Sequence, residues 1–181
     1  HAFTQCWYTC SDKAIEELTQ AARLQPDALE IEMILGNLYR EKGQVGRSIT
    51  IHQGLLQRPK LTKLEQAYTL LCLGLDYKRG GFVDRALEAF QEVLRLDPRN
   101  GYALAHLQRL HEEQHQWKEA QEVRQRLAAL GEPADQGRNQ RILAFIEAEM
   151  GRDAVKRLDY ATAVPHFEAA IELDERTVPA Y

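Results

Sequence analysis

The sequence predicts an all-α solenoid of antiparallel helix pairs, and three observations carry that prediction. A motif of three positions recurs along the chain: a small residue, a large apolar one four later, and a small or apolar one three after that. The copies are spaced by about the length of a helical hairpin. Glycine and proline punctuate the intervals between them, and no stretch shows the strict alternation of a strand.

The clear copies are Ala14–Leu18–Ala21, Ala86–Phe90–Val93 and Ala163–Phe167–Ala170. Weaker ones are Ser48–His52–Leu55 and Ala120–Arg124–Leu127. Their first members lie 34, 38, 34 and 43 residues apart. A period of about 34 is that of the tetratricopeptide repeat, so the expected architecture is a right-handed superhelical solenoid. The two longer gaps carry their surplus around 57–63 and 131–138, each with a proline (Pro59, Pro133), and both read as widened inter-repeat loops.

A second motif lies one helix upstream in the same register: Leu35-Gly36 with Tyr39, then Leu73-Gly74 with Tyr77. Gly43 and Gly81 end those helices, and Val45 and Val83 enter the next; Trp117 and Tyr160 take that apolar slot later. Second helices stop at Pro26 and Pro98, because proline cannot continue a helix. Two helices joined by a short turn approach closely only where one side chain is small. Gly36, Gly74, Ala86, Ala120 and Ala163 are those positions, and Tyr39, Tyr77, Phe90 and Phe167 fill the space beside them. The chain 1–181 reads as a single array of about five hairpins, at 1–28, 29–60, 61–100, 101–135 and 136–177, the fifth with a lengthened first helix starting near Arg138 and a sixth opening at 178–181.

Composition narrows the function classes. Apolar residues make up 44% and charged residues 28%, which is globular rather than disordered. A net charge of −4 gives no general reason to expect nucleic acid. No stretch approaches the roughly 18 consecutive apolar residues of a membrane span. The start, from His1 to Cys6, has no basic-then-apolar leader, and both ends read as cuts through a longer protein. The three cysteines form no Cys-x-x-Cys pair; Cys6 and Cys10 are neighbours on one helix face, which fits free thiols in a reducing cytoplasmic setting.

Few motifs point to chemistry. His111-Glu112-Glu113-Gln114-His115 fits the spacing of a zinc-dependent hydrolase, with two histidines as ligands and Glu112 activating water. Yet the register puts His115 where Gly43 and Gly81 end their helices, so the imidazoles should not share a helical face. No third ligand stands out. Asp76, Asp84 and Asp97 are scattered acids, with turn duty for Asp97. His52 occupies the Phe90 slot and reads as a packing residue; His166 is expected to face outward. The expectation is no enzyme, no catalytic residue, and no metal or other cofactor in this segment.

In stacked hairpins the first helices line a concave groove. The residues expected to face it are Asn37, Arg40, Tyr68, Leu75, Lys78, Arg79, Tyr102, His106, Arg109, Phe145 and Arg152. Tyrosine and arginine are prominent among recognition hot spots, and the basic members point to an acidic or carboxylate-bearing partner segment. Met33, Leu71 and Leu75 stand where a clamp for a terminal carboxylate would need polar groups. The apolar end faces of such an array also offer a route to a homo-oligomer.

One string goes beyond the generic repeat: Leu35-Gly36-Asn37-Leu38-Tyr39-Arg40, Gly43, Arg47-Ser48-Ile49 and Ile51-His52-Gln53. It continues through Leu61-Thr62, Gln66, Leu73-Gly74, Asp76-Tyr77 and Asp84-Arg85-Ala86. Together these resemble the bacterial lipopolysaccharide assembly protein B family. The resemblance implies a non-enzymatic adaptor at the cytoplasmic face of the inner membrane. In that family an N-terminal membrane helix precedes the repeats, and a four-cysteine, rubredoxin-like metal module ends the chain; neither is in this sequence. Its implied partners are a membrane protease and a lipid A-pathway deacetylase. The alternative is a generic repeat co-factor of assembly or secretion.

Overall fold

A computed structural model describes residues 2–25, 27–131 and 136–174, with side chains from Asp12 onward. Among these residues the structure is all-α. The helices are α1 (Ala2–Leu24), α2 (Leu29–Glu41), α3 (Val45–Leu56), α4 (Lys63–Arg79), α5 (Val83–Leu96), α6 (Gly101–Glu113), α7 (Trp117–Ala128), α8 (Gln136–Lys156) and α9 (Tyr160–Leu173). They form two compact units, 1–98 and 99–181. In the first, each of α1 to α5 packs on the next and α2 also meets α4; in the second, α6 to α9 pack in sequence. The side chains of Cys6 and Cys10, together with Pro26, Pro133 and the sixth hairpin at 178–181, lie outside the described residues.

The turns explain the hairpins. Each of the pairs α2–α3, α4–α5, α6–α7 and α8–α9 is joined by three residues whose middle member is left-handed: Gly43 (φ 75°), Gly81 (φ 77°), His115 (φ 56°) and Leu158 (φ 62°). The residue after it donates its N–H five residues back, Gln44 to Tyr39, Phe82 to Tyr77, Gln116 to His111 and Asp159 to Ala154, at 2.8–2.9 Å. This bond closes a Schellman motif and satisfies carbonyls the helix end would leave open. Leu158 is therefore a branched residue in a conformation that costs an L-amino acid roughly 1–2 kcal/mol. Its side chain is 73% exposed, so little packing is at stake. Leu158→Gly is expected to stabilise the fold by about 1 kcal/mol, raising the melting temperature by roughly 2–4 °C in a thermal melt. A lower melting temperature would contradict the turn assignment.

The close contacts recur as the register requires. A Cβ on Gly36 would lie 2.5 Å from His52 Nε2, one on Gly74 2.7 Å from Phe90 Cε1, and one on Gly151 2.8 Å from Phe167 Cε1. Ala86 and Ala120 are fully buried, and Ala163 nearly so. Phe90, Leu55 and Val93 have no exposed surface, and each contributes roughly 1.5–3 kcal/mol of apolar burial. Smaller cores join neighbouring pairs: Met33, Leu55 and Cys72 between α2, α3 and α4, and Trp117, Ala120, Ile146 and Met150 between α7 and α8. Trp117 also donates from Nε1 to Asp153 Oδ2 at 2.7 Å. Hydrogen bonding from Lys156, and then from Trp117, holds that carboxyl below the usual aspartate range.

Three expectations are corrected. Residues 1–28, expected to hold a hairpin, carry the one helix α1. At the 57–63 gap the surplus mostly lengthens a helix rather than a loop: α4 has 17 residues against 13 each in α2 and α6, while the 21 residues of α8 match the expected lengthened helix. The extension of α4 starts with a capping box, in which the Thr62 hydroxyl accepts from Glu65 N–H and Glu65 accepts from Thr62 N–H. Finally, Tyr160 matches Trp117 by position, but Trp117 is buried and Tyr160 is exposed.

Candidate functional site

The face shared by α2 and α4 in the first unit carries two adjoining recesses. The first, near the helix starts, has a volume of about 510 Å³ and is lined by Leu29, Glu30, Met33, Ile34, Asn37, Leu64, Glu65 and Tyr68. Ile34, Leu64 and Tyr68 are 49%, 80% and 50% exposed, an unusual concentration of apolar surface. In its wall the Asn37 Oδ1 is buried and has no hydrogen-bond partner among the described residues. An amide oxygen in that state is an acceptor awaiting a donor.

The second recess, near the helix ends, is about 400 Å³ and is lined by Arg40, Glu41, Leu75, Lys78 and Arg79. Arg79 is exposed, whereas Lys78 and Leu75 are half-buried. Arg40 is the residue whose role changes most. Its Nη1 donates to Asp76 Oδ1 at 3.0 Å and to the Cys72 carbonyl at 3.4 Å. Asp76 is completely buried, and its other oxygen receives His52 Nδ1–H at 2.5 Å. The three form a polar core beneath the recess, so Arg40 lines the surface with its guanidinium already engaged. Reversing the charge of Arg40 would set two carboxylates together inside the protein, contrary to the expectation that it acts as a free groove cation. Asp76, read as a scattered acid, is the hub of that core, and His52 is both packing residue and hydrogen-bond partner. Cys72 lies alongside as a buried free thiol, whose pKa burial pushes up.

In the second unit the expected residues are less concentrated. Tyr102 is 76% exposed, Phe145 packs edge-on to Trp117 with ring centres 6.3 Å apart, and Arg152 pairs with Glu149. His106 is half-buried, and Arg109 lines a cavity of about 520 Å³. His166, expected to face outward, is half-buried and paired with Glu147 at 2.8 Å. The His111 and His115 rings are engaged by different partners. His111 Nδ1 is bonded to Gln116 Oε1 at 2.7 Å, while His115 lies beyond the end of α6 with its ring against Trp117. No group of three or more metal-ligating side chains occurs among the described residues. Nor is any described helix long and apolar enough to cross a membrane.

Of the residues lining the first recess, the sequence reading named Asn37 and Tyr68 but not Leu29, Ile34 and Leu64, because an apolar residue on an amphipathic helix reads as core. It also missed Gly151, whose signal is a glycine sixteen residues before an aromatic, as with Gly74 and Phe90.

Known proteins share these features. The tetratricopeptide repeat family matches residues 72–135. Lipopolysaccharide assembly protein B of Escherichia coli (strain K12) is 34% identical over 121 residues, 66% of this chain and 31% of that protein. The Haemophilus influenzae protein of the same name is 31% identical over 101 residues, 56% of this chain and 26% of that one. The chain thus spans about a third of the length of the curated relatives it matches. Among solved structures, MamA superposes with a TM-score of 0.64 at 17% identity, covering 96% of this chain and 94% of that one. YrrB, described as a tetratricopeptide repeat protein with an unusual peptide-binding site, gives 0.61 at 15% identity, covering 96% and 83%. At such identities these two structures speak to the fold alone. Fold and relatives together support a role in protein interaction. The chain is a tetratricopeptide repeat protein, similar in sequence to lipopolysaccharide assembly protein B over 66% of its length.

Proposed function

We propose that this chain is a non-enzymatic scaffold whose α2/α4 face captures an extended segment of a partner protein. The observation that carries the reading is the buried, unpartnered Asn37 Oδ1 in an apolar recess. A backbone N–H of the partner completes that acceptor, and an apolar side chain of the partner fills the space between Ile34, Leu64 and Tyr68. An acidic group on the same segment reaches Lys78 and Arg79 in the second recess. The similarity to lipopolysaccharide assembly protein B supports a finer proposal, an adaptor that regulates lipopolysaccharide synthesis at the cytoplasmic face of the inner membrane. Its partners are then a membrane protease and a lipid A-pathway deacetylase.

The test is affinity capture from lysate of the source organism, with the native chain, Asn37→Ala and Tyr68→Ala as baits. Tyr68 is half exposed, so its truncation leaves the fold intact while removing an aromatic anchor, with roughly tenfold lower recovery expected. Enrichment of a protease or a lipid A-pathway enzyme by the native bait, lost in both variants, supports the full reading. Enrichment of unrelated proteins, lost in the same variants, retains the scaffold and removes the lipopolysaccharide role. Equal recovery by all three baits sinks the α2/α4 face as the binding surface.

A further inference from the structure

Helical spacing sets the two recesses of the α2/α4 face in one line. On α2 the lining residues include Glu30, Ile34, Asn37 and Glu41, and on α4 Leu64, Tyr68, Leu75 and Arg79. Steps of three, four and seven residues keep each set on one side of its helix. Charge of opposite sign closes the two ends of the line. At the helix starts stand Glu30, which is exposed, and Glu65, whose carboxyl the Thr62 hydroxyl and N–H hold below the usual glutamate range. At the helix ends stands Arg79, also exposed. Neither Glu30 nor Arg79 is engaged by an ion pair among the described residues. Arg40 is held by Asp76 and lies 3.9 Å from Glu41, and Lys78 is half-buried, so Arg79 is the cation best placed to meet a partner. The dipoles of α2 and α4 oppose this order with only about half a charge at each end, so the side chains set the sign.

The spacing along the line is unequal. Glu30 lies four residues, about 6 Å of helix rise, before Ile34, whereas Arg79 lies eleven residues, about 16 Å, beyond Tyr68. The apolar recess is therefore close to the acids and far from the arginine. The unpartnered Asn37 Oδ1 calls for a backbone N–H, which an extended segment offers and the interior of a helix does not. An extended segment advances about 3.3 Å per residue and turns alternate side chains to one face. About two residues then span the short arm and about four the long one, with the reach of the Arg79 side chain covering the remainder.

We propose that the α2/α4 face selects a charge-ordered segment: a basic residue, a large apolar residue about two positions from it, and an acidic residue about four positions farther on. The basic group meets Glu30 and Glu65, the apolar one fills the space between Ile34, Leu64 and Tyr68, and the acidic one meets Arg79. This rests on the reading of the face as a capture site and adds the order and spacing that a partner must satisfy. Because the two arms are unequal, exchanging the charges gives a segment that fits in neither chain direction.

Fluorescence anisotropy on the whole chain tests it, with three short capped peptides labelled alike. One carries lysine, leucine and glutamate at the proposed spacing, another exchanges the lysine and the glutamate, and the last replaces the leucine by serine. The ordered peptide should bind roughly tenfold more tightly than the exchanged one, the combined effect of two exposed attractions turned into repulsions. The ratio should shrink in high salt, which screens exposed charges. The double variant Glu30→Lys with Arg79→Glu changes two exposed positions, so it should melt cooperatively and prefer the exchanged peptide. Equal binding of the ordered and exchanged peptides, weakened in Tyr68→Ala, overturns the charge order and leaves capture at this face standing. A preference for the ordered peptide that the double variant retains also overturns it, because the charges read would then lie elsewhere. Binding of no peptide, or no loss on replacing the leucine, removes both the order and the capture of short extended segments at this face.

Discussion

Asp76→Ala is expected to destabilise the protein by about 3–5 kcal/mol, the cost of removing one partner from a buried charged network. Asp76 and His52 have no exposed surface, and Arg40 retains little. Without the carboxylate, His52 Nδ1 and Arg40 Nη1 lose their shared acceptor in a region water does not reach. The origin of the loss can be isolated with His52→Phe. That change places a ring over Gly36 as Phe90 lies over Gly74, and removes the group that most needs Asp76. The double variant His52→Phe with Asp76→Ala should therefore lose clearly less than Asp76→Ala alone, because Arg40 can swing toward the recess it already borders. Urea denaturation of the four proteins measures the coupling directly. Additive losses would mean that His52 and Asp76 do not act as a pair.

Gly74→Ala should cost about 2 kcal/mol, within the range for overpacking a close-packed contact. The added Cβ would stand 2.7 Å from Cε1 and 2.9 Å from Cδ1 of Phe90, a ring with no room to retreat because its exposure is zero. A smaller partner should relieve the clash. Phe90→Leu alone loses packing, yet in combination with Gly74→Ala the total loss should fall short of the sum of the single changes. By contrast, Gly54→Ala, where a Cβ would meet nothing within 4 Å, should be neutral or slightly stabilising because alanine favours the helix. A harmless Gly74→Ala would break the equivalence between hairpins on which the register rests.

These two sites show what the sequence conveyed and what it did not. The alternation of small and large residues fixed where helices meet, because that steric requirement is local and repeats. Gly74–Phe90 is legible for that reason, and Gly43 and Gly81 announce their turns through the backbone freedom of glycine. His115 and Leu158 occupy the same left-handed position without a glycine, and only the register pointed to the first of them. The Arg40–Asp76–His52 core was not legible as a unit, since its members come from three helices and pair through a geometry that no spacing encodes. Read singly, Arg40 was a groove cation, Asp76 a scattered acid and His52 a substitute for phenylalanine. The apolar recess was hidden for a related reason. Ile34 and Leu64 belong to amphipathic faces, and which apolar residues remain uncovered depends on how α2 and α4 diverge. Arg124 was visible as the middle of an irregular copy of the motif, but that it lines one cavity with Arg109 and Arg138 required the position of α8.

The central functional claim is that the α2/α4 face receives the partner, and site-directed photocrosslinking tests it most directly. A benzophenone-bearing amino acid placed at Ile34 or at Leu64 faces the apolar recess, and both positions are exposed enough to accept it without unfolding. The same probe at Glu88, an exposed position on α5, samples a different surface. The account predicts that one partner band forms from positions 34 and 64 and disappears when Asn37→Ala is added, while position 88 gives none. A partner that crosslinks from position 88 and from neither 34 nor 64 would place the binding surface elsewhere and contradict the account.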